Sequence, residues 1–205
     1  MTPSTPDFAK GDGLLPAIVQ HAGTGEVLML GYMNEAALAT TRETGLVTFF
    51  SRSKARLWTK GESSGDVLKL VDLRLDCDAD TFLVTAWPAG PTCHMGTTSC
   101  FGNDVTPPLG FLAELDALVE RRHVERPEGS YTTSLFEGGI RRMAQKVGEE
   151  GVETALAAVT EDDDALVGEA ADLVFHLMVV LRARGLGMAD VARRLMERHA
   201  ARPVR

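Results

Sequence analysis

The chain has 205 residues, enough for one large or two small domains, and its 44% hydrophobic content is ordinary for a globular protein. Its net charge of -8 argues against a general nucleic-acid-binding protein, because such proteins normally carry a basic face. Residues 1–10 lack the apolar core of a signal peptide, and the longest apolar run, residues 173–181, is too short to span a bilayer. We therefore expect a cytoplasmic protein with neither nucleic acid nor membrane as a partner.

The first half of the chain consists of short apolar stretches separated by glycines and polar turns, a pattern typical of strands. The predicted strands are residues 14–19, 27–31, 47–50, 67–75 and 81–87. A helix is predicted over residues 34–44, with Asn34 as its N-cap and Gly45 just past its end. Two prolines within residues 103–108 mark a domain boundary.

The second half, residues 109–202, shows helical periodicity throughout. Apolar side chains recur every three or four residues from Leu112 to Met196, and Gly185 and Gly187 separate the last two helices. The sequence therefore predicts two domains, a β-rich α+β domain over residues 1–106 and an all-α domain over residues 107–205.

Residues 51–65 form a basic segment rich in glycine and serine. Hydroxyls, backbone amides and cations are suitable donors to phosphate oxygens, and the single tryptophan could stack on a nucleotide base. The alternative is an ordinary basic surface loop. The candidate substrate-binding residues are Arg52, Ser53, Trp58, Lys60, Gly61, Glu62, Ser63 and Ser64.

An acidic segment follows the predicted strand that ends at Leu75. Strand alternation would place Asp76, Asp78 and Asp80 on one face and Cys77 on the other. Three carboxylates so close together are costly unless they bind a cation such as magnesium. The alternative is a solvated acidic turn, because aspartate also favours turns.

The chain has three cysteines, an odd number that argues against a closed disulfide framework. Cys93 and Cys100 flank a segment of small residues that can fold back on itself, and with Cys77 they would form a three-thiolate site suited to zinc. His94 could fill the fourth zinc position or act as a general base. The alternative is that the cysteines are small buried hydrophobic residues.

A second acidic cluster is predicted in the helical half. At about 100° per residue, Lys146, Glu149 and Glu153 share one helix face, and Glu150 lies at its edge. A second acidic pair, Glu169 and Asp172, follows at helical spacing, and Asp172 adjoins an apolar run where a carboxylate would be poorly solvated. Two facing acidic helices indicate a magnesium site for a nucleotide polyphosphate. The alternative is a solvated face with an ordinary i,i+4 ion pair.

Taken together, these segments resemble the bifunctional enzymes of histidine biosynthesis in which phosphoribosyl-AMP cyclohydrolase is fused to phosphoribosyl-ATP pyrophosphatase. In residues 14–102 the resemblance rests on G-Y-M-N-E-A-A-L, S-R-S-K-A-R-L-W-T-K-G-E-S-S-G, D-C-D-A-D and T-C-H-M-G-T-T-S-C-F. In residues 110–202 it rests on S-Y-T-T-S-L-F, Q-K-V-G-E-E-G-V-E and E-A-A-D-L-V-F-H-L. Departures from the family pattern are small: Ser63 replaces a common threonine, and Asp66 and Gly151 replace other common residues.

The resemblance implies a cyclohydrolase domain over residues 1–106 and, over residues 107–205, a domain similar to the all-α nucleotide pyrophosphohydrolases. It further implies a nucleotide- and ATP-binding hydrolase that acts as a homodimer on phosphoribosyl-ATP and phosphoribosyl-AMP. The implied zinc ligands, shared between subunits, are Cys77, Cys93 and Cys100. The implied magnesium ligands are Asp76, Asp78 and Asp80 in the first domain, and Glu149, Glu150, Glu153 and Asp172, supported by Glu169, in the second.

On this hypothesis His94, Lys146, Glu150 and Glu153 are the candidate catalytic residues. The helical domain would release pyrophosphate first, and the zinc site would then open the adenine ring of phosphoribosyl-AMP by hydrolysis. One alternative is a general nucleotide pyrophosphatase fused to a structural zinc module, in which His94 would complete a four-ligand zinc site.

Overall fold

The computed structural model describes residues 5–102 and 106–201 and divides the chain into two compact units, Met1–Leu112 and Ala113–Arg205. Part of the predicted boundary segment, residues 103–105, lies outside the described residues, as does residue 202 at the end of the predicted helical region. The division between the units falls within a helix that begins at Gly110.

The described part of the first unit contains six strands and one complete α-helix. Its elements are a 3-10 turn, Phe8–Gly11, then β1, Leu15–His21; β2, Val27–Met33; α1, Glu35–Thr44; β3, Thr48–Ser51; β4, Arg56–Thr59; β5, Leu68–Leu75; and β6, Phe82–Pro88. Four of the strands form a mixed sheet in the order β2-β1-β6-β5. Strands β1 and β6 are parallel, whereas β2 and β5 pair antiparallel at the two edges. Strands β3 and β4 form a separate antiparallel hairpin.

Side-chain alternation along the central strands forms the core of this unit. In β1, Ala17 and Val19 are buried, and their register partners in β6, Phe82 and Val84, are buried as well. Phe49 of β3 belongs to the same cluster. One face of the sheet is therefore buried in the hydrophobic core, because successive residues of a strand point to opposite faces.

The predicted helix in the first half is confirmed as α1. The Asn34 side chain accepts a hydrogen bond from the Ala37 amide at 2.8 Å, and Gly45 ends the helix in the left-handed conformation. The five predicted strands correspond to β1, β2, β3, β5 and β6. Strand β4 was not predicted, since its residues lie within the segment interpreted as a basic loop.

The second unit is helical, as predicted. Its helices are α2, Gly110–Glu125; α3, Tyr131–Glu137; α4, Gly139–Thr160; α5, Asp163–Arg182; and α6, Met188–Ala200. Ser130 caps α3 and Asp162 caps α5, each by accepting a hydrogen bond from a backbone amide three residues later. The break between α5 and α6 contains Gly185 and Gly187, which confirms that prediction. Along the described ranges, none of the helices combines the length and apolar character needed to cross a membrane.

Candidate functional sites

The three aspartates after β5 lie together, as predicted. Asp76, Asp78 and Asp80 each offer a carboxylate oxygen, and these oxygens lie within 4.8 Å of one another. The reason predicted for this was wrong, because the segment is a turn and not a continuing strand. Asp76 Oδ1 closes the turn by accepting hydrogen bonds from the amides of Asp80, at 3.0 Å, and Thr81, at 3.2 Å.

The charge of this cluster is partly offset within the chain. Lys10 Nζ lies 3.0 Å from Asp78 Oδ2 and 3.9 Å from Asp80 Oδ2, and its hydrogen bond to Asp78 raises the pKa of Lys10. Burial acts to raise the pKa of Asp76, but hydrogen bonds from the amides of Thr81 and Asp80 outweigh it and hold that pKa below its usual value. Asp76 therefore keeps its negative charge at neutral pH, and the chemistry of the three carboxylate donors suits a hard divalent cation.

A cavity of about 490 Å³ in the first unit joins the basic segment to the cysteine loop. It is lined by six of the eight predicted substrate-binding residues together with Cys93, His94 and Cys100. Those six are Trp58, Lys60, Gly61, Glu62, Ser63 and Ser64. The two others have different contacts: the Arg52 guanidinium lies 3.9 Å from the centre of the Tyr32 ring, and the Ser53 hydroxyl lies 3.5 Å from that of Ser51.

Hydrogen bonds shape the wall of this cavity. Glu62 accepts from Arg56 Nη2 at 2.6 Å and from the Thr59 amide at 3.2 Å, and Lys60 Nζ donates to the Asp66 carbonyl at 3.0 Å. Gly61 has a φ of +81°, and a Cβ at this position would collide with the backbone of Asp66. The loop therefore needs glycine here in order to fold back tightly.

Cys93 and Cys100 interact through their side chains on this wall. Hydrogen bonds from the Met95 amide and the Thr97 hydroxyl lower the pKa of the Cys93 thiol, whereas burial raises that of Cys100. The Cys93 Sγ lies 3.8 Å from His94 Nδ1. In the described part of a single chain, Cys77 forms no three-ligand group with these two thiols, and it is exposed.

Thr92 was missed by the sequence analysis. It lines the same cavity and is only 2% exposed, and among the described residues its buried hydroxyl has no hydrogen-bond partner. A buried hydroxyl without a partner is destabilising, so a ligand atom or an ordered water is the candidate for its missing partner. Its place directly before Cys93 was the signal available in the sequence.

The second acidic cluster joins α4 to α5. Glu150, Glu169 and Asp172 each offer an oxygen within 4.8 Å of the others. Glu150 is the buried member, at 5% exposure, and its Oε1 accepts from Lys146 Nζ at 2.6 Å. This ion pair lowers the pKa of Glu150 and raises that of Lys146. Glu150 is therefore the buried, lysine-paired member of the cluster, which helical spacing alone did not reveal.

The remaining predicted carboxylates surround this group. Glu149 lies 3.1 Å from Lys146 Nζ and accepts from Gln145 Nε2 at 2.6 Å. Partial desolvation of its carboxyl group and the nearby carboxylates of Glu150 and Glu169 raise the pKa of Glu153, although the residue is exposed. Asp172 is exposed in the single chain, so the expectation that it would be poorly solvated was wrong.

His176 and Tyr131 complete the surroundings of Glu150 and were missed by the sequence analysis. His176 Nε2 lies 3.5 Å from Glu150 Oε1 and 3.5 Å from the Tyr131 hydroxyl. His176 is 4% exposed, and this burial lowers its pKa. One signal was available: His176 interrupts an apolar run four residues after Asp172, one helical turn away on the same side of α5.

Comparison with known proteins matches each unit to a different enzyme family. The phosphoribosyl-AMP cyclohydrolase family model matches residues 29–102, and the phosphoribosyl-ATP pyrophosphohydrolase model matches residues 112–199. The histidine biosynthesis bifunctional protein HisIE of Xanthomonas axonopodis pv. citri is 66% identical over 196 residues, which cover 96% of this chain and 94% of the relative. This chain belongs to the HisIE family of histidine biosynthesis bifunctional proteins.

Other HisIE proteins extend the similarity across distant bacteria. The protein of Escherichia coli K12 is 56% identical over 94% of this chain and 95% of its own length. That of Bacteroides thetaiotaomicron is 53% identical over 95% of this chain and 96% of its own length. The predicted family and fold class are confirmed, and so is a bifunctional hydrolase with one cyclohydrolase and one pyrophosphohydrolase domain. The match favours this prediction over a general nucleotide pyrophosphatase fused to a structural zinc module.

Proposed function

We propose that this protein hydrolyses phosphoribosyl-ATP to phosphoribosyl-AMP and pyrophosphate, and then opens the adenine ring of phosphoribosyl-AMP. We assign the first step to residues 107–205 and the second to residues 1–106. The observation that carries the proposal is the presence of a separate group of three clustered carboxylates in each matched region. The two regions differ in their other donors, since Cys93 and Cys100 line a cavity in the first region.

In the helical domain, Glu150, Glu169 and Asp172 would hold magnesium, with Glu149 and Glu153 as the outer members of the site. Magnesium, when bound, supplies positive charge to the triphosphate oxygens. Glu150 is tied to Lys146, whereas Glu153 is exposed at the edge of the group. We therefore assign to Glu153 the uptake of the proton from the attacking water, and to Lys146 the stabilisation of negative charge on the phosphates.

In the first domain, Cys93 and Cys100 would hold zinc together with Cys77 from a second copy of the chain. Zinc, when bound, lowers the pKa of a coordinated water. The proposal of a homodimer with shared ligands is supported by the absence of a three-cysteine group in the described part of one chain. His94, adjacent to the Cys93 thiol, is assigned to proton transfer during ring opening.

The cavity wall provides the contacts that such a substrate requires. Lys60, Ser63 and Ser64 offer donors to phosphate oxygens, and the Trp58 ring offers a face for stacking. We propose that magnesium on Asp76, Asp78 and Asp80 completes phosphate binding, and that Arg52 and Ser53 contribute at the entrance. The roles proposed for the cysteines require reduced thiols, so we place the enzyme in the cytoplasm.

Mass spectrometry of products formed from phosphoribosyl-ATP with magnesium and trace zinc tests the proposal. We expect pyrophosphate and a ring-opened product heavier than phosphoribosyl-AMP by one water. If phosphoribosyl-AMP accumulates unchanged in a zinc-loaded sample, the assignment of the first domain is wrong. If folded, metal-loaded protein leaves phosphoribosyl-ATP intact, the assignment of the helical domain is wrong.

A further inference from the structure

His176 links the Glu150 carboxylate to Tyr131 in the second unit. Tyr131 is the first residue of α3, Glu150 lies in the middle of α4, and His176 lies in α5. The His176 Nε2 atom is 3.5 Å from both Glu150 Oε1 and the Tyr131 hydroxyl. The imidazole of His176 therefore lies between a side chain of α4 and a side chain of α3.

The donors around Glu150 approach a single oxygen. Lys146 Nζ, at 2.6 Å, and His176 Nε2, at 3.5 Å, both lie next to Oε1. A carboxylate has two oxygens and about four lone-pair directions, so contacts at Oε1 restrict its orientation while other lone pairs can bind a cation. Glu150 is also the least exposed member of its three-carboxylate group.

Aromatic packing holds the imidazole in place. The rings of His176 and Phe175 have centroids 5.2 Å apart at 67°, and the rings of Tyr131 and Phe175 are stacked at 6.2 Å and 22°. The Ser130 hydroxyl caps α3 by accepting from the Thr133 amide at 3.3 Å, which fixes the helix start that carries Tyr131. A neutral imidazole can donate an N–H without adding a charge that would compete with a metal.

We propose that His176, supported by Tyr131, is a positioning residue that orients the Glu150 carboxylate for divalent-cation binding. This inference rests on the proposed magnesium site of Glu150, Glu169 and Asp172. Partners that orient metal ligands typically contribute 10- to 100-fold to metal affinity, which sets the expected effect at about that size.

Isothermal titration of the full-length chain with Mg²⁺ tests the proposal. All variants carry Asp78→Asn, which weakens Mg²⁺ binding at the acidic cluster of the first domain. The titration then reports Mg²⁺ binding at the helical site. His176→Leu removes the N–H donor and should weaken Mg²⁺ binding by about 10- to 100-fold. His176→Gln places an amide N–H near the position of Nε2 and should recover most of the affinity.

A purely structural role of His176 would lower thermal stability in both variants without separating their Mg²⁺ affinities. Equal affinities in folded His176→Leu and His176→Gln therefore overturn the proposal. If His176→Leu does not fold, Tyr131→Phe and His176→Gln carry the test. Tyr131→Phe should then weaken Mg²⁺ binding by a smaller factor, and unchanged binding in it overturns the support assigned to Tyr131.

The underlying site has its own control. Asp172→Asn in the same background must weaken Mg²⁺ binding, because Asp172 is a proposed ligand. If it does not, the proposed magnesium site is refuted, and the inference about His176 is refuted with it because there is no metal site for His176 to support. If Asp172→Asn weakens binding while His176→Leu leaves it unchanged, only the role of His176 is refuted.

Discussion

Replacing Thr92 with valine should stabilise the free enzyme and impair ring opening. Thr92 is 2% exposed and its buried hydroxyl has no partner among the described residues, while its neighbours line the cavity. Leaving a buried hydroxyl without a hydrogen bond costs about 1–3 kcal/mol. Valine has the same shape without that group, so Thr92→Val should raise the free energy of unfolding by about 1 kcal/mol.

If the Thr92 hydroxyl donates to a substrate oxygen, the same substitution removes that hydrogen bond. A hydrogen bond to a charged group such as phosphate is worth about 1.5–3 kcal/mol, and 1.4 kcal/mol is roughly tenfold in rate or affinity. We therefore expect kcat/KM for phosphoribosyl-AMP to fall by about 10- to 100-fold. Thr92→Ser keeps the hydroxyl, so it should retain most of this activity while losing about 1 kcal/mol of stability with its methyl group.

Both quantities can be measured on the full-length chain. Both tryptophans, Trp58 and Trp87, belong to the first unit, so their fluorescence during urea unfolding reports on that unit alone. The rate of ring opening of added phosphoribosyl-AMP gives kcat/KM for this step without requiring the reaction of the helical domain. A Thr92→Val variant that is less stable than the wild type, or equally active, would refute the reasoning that the Thr92 hydroxyl forms its missing hydrogen bond with the substrate.

Three further outcomes separate the two active sites. Cys93→Ser should lose zinc and accumulate phosphoribosyl-AMP while still releasing pyrophosphate; normal ring opening without bound zinc contradicts the thiolate assignment. Glu150→Gln should stop pyrophosphate release yet leave ring opening of supplied phosphoribosyl-AMP intact; loss of both activities in a folded variant contradicts the division of labour. Glu153→Gln tests the pKa of Glu153, which is raised above its ordinary value of 4.5 in the folded chain. The protonated carboxyl therefore contributes stability below that value, and this contribution is lost as the pH rises through the raised pKa. In EDTA, thermal melts followed by circular dichroism should show Glu153→Gln gaining stability over the wild type as the pH rises from about 4.5 to neutrality, and a constant difference argues against the shift.

The sequence predicted the elements whose signals are local. Alternation identified the strands of the sheet, and capping residues identified α1, because both patterns depend on near neighbours. Strand β4 was missed since Arg56–Thr59 is only four residues long, pairs with β3 and lies within the segment interpreted as a basic loop. The Asp76–Asp80 turn was predicted as a strand end for a related reason: a turn and a strand can both place alternate carboxylates together.

The sites depend more on tertiary packing than on local pattern. Helical spacing identified Glu150, Glu169 and Asp172 as candidates but could not show that Glu150 is the buried one. That ranking arises where α3, α4 and α5 pack together, and the same packing brings His176 to Glu150 and Tyr131 to His176. Such contacts join residues far apart in the chain, so a periodicity argument does not reveal them.

The two proposed metal sites also differ in what one chain supplies. Glu150, Glu169 and Asp172 lie together within a single copy, whereas Cys77 does not join Cys93 and Cys100 in the described part of one chain. If zinc is held between two copies, each symmetric dimer contains two sites, each with Cys77 from one copy and the other two cysteines from its partner.

Co-expression of two inactive variants decides whether the zinc ligands are shared. Cys77→Ser and Cys93→Ser should each lack ring opening when expressed alone. In a mixed dimer, one site combines Cys93 and Cys100 of the first variant with Cys77 of the second and is intact, whereas the other site lacks two ligands. Random pairing in equal amounts makes about half of the dimers mixed, so about a quarter of the wild-type ring-opening activity should return. Ligands drawn from one chain would give no recovery, and pyrophosphate release should be the same in all samples, which controls for the amount of folded protein.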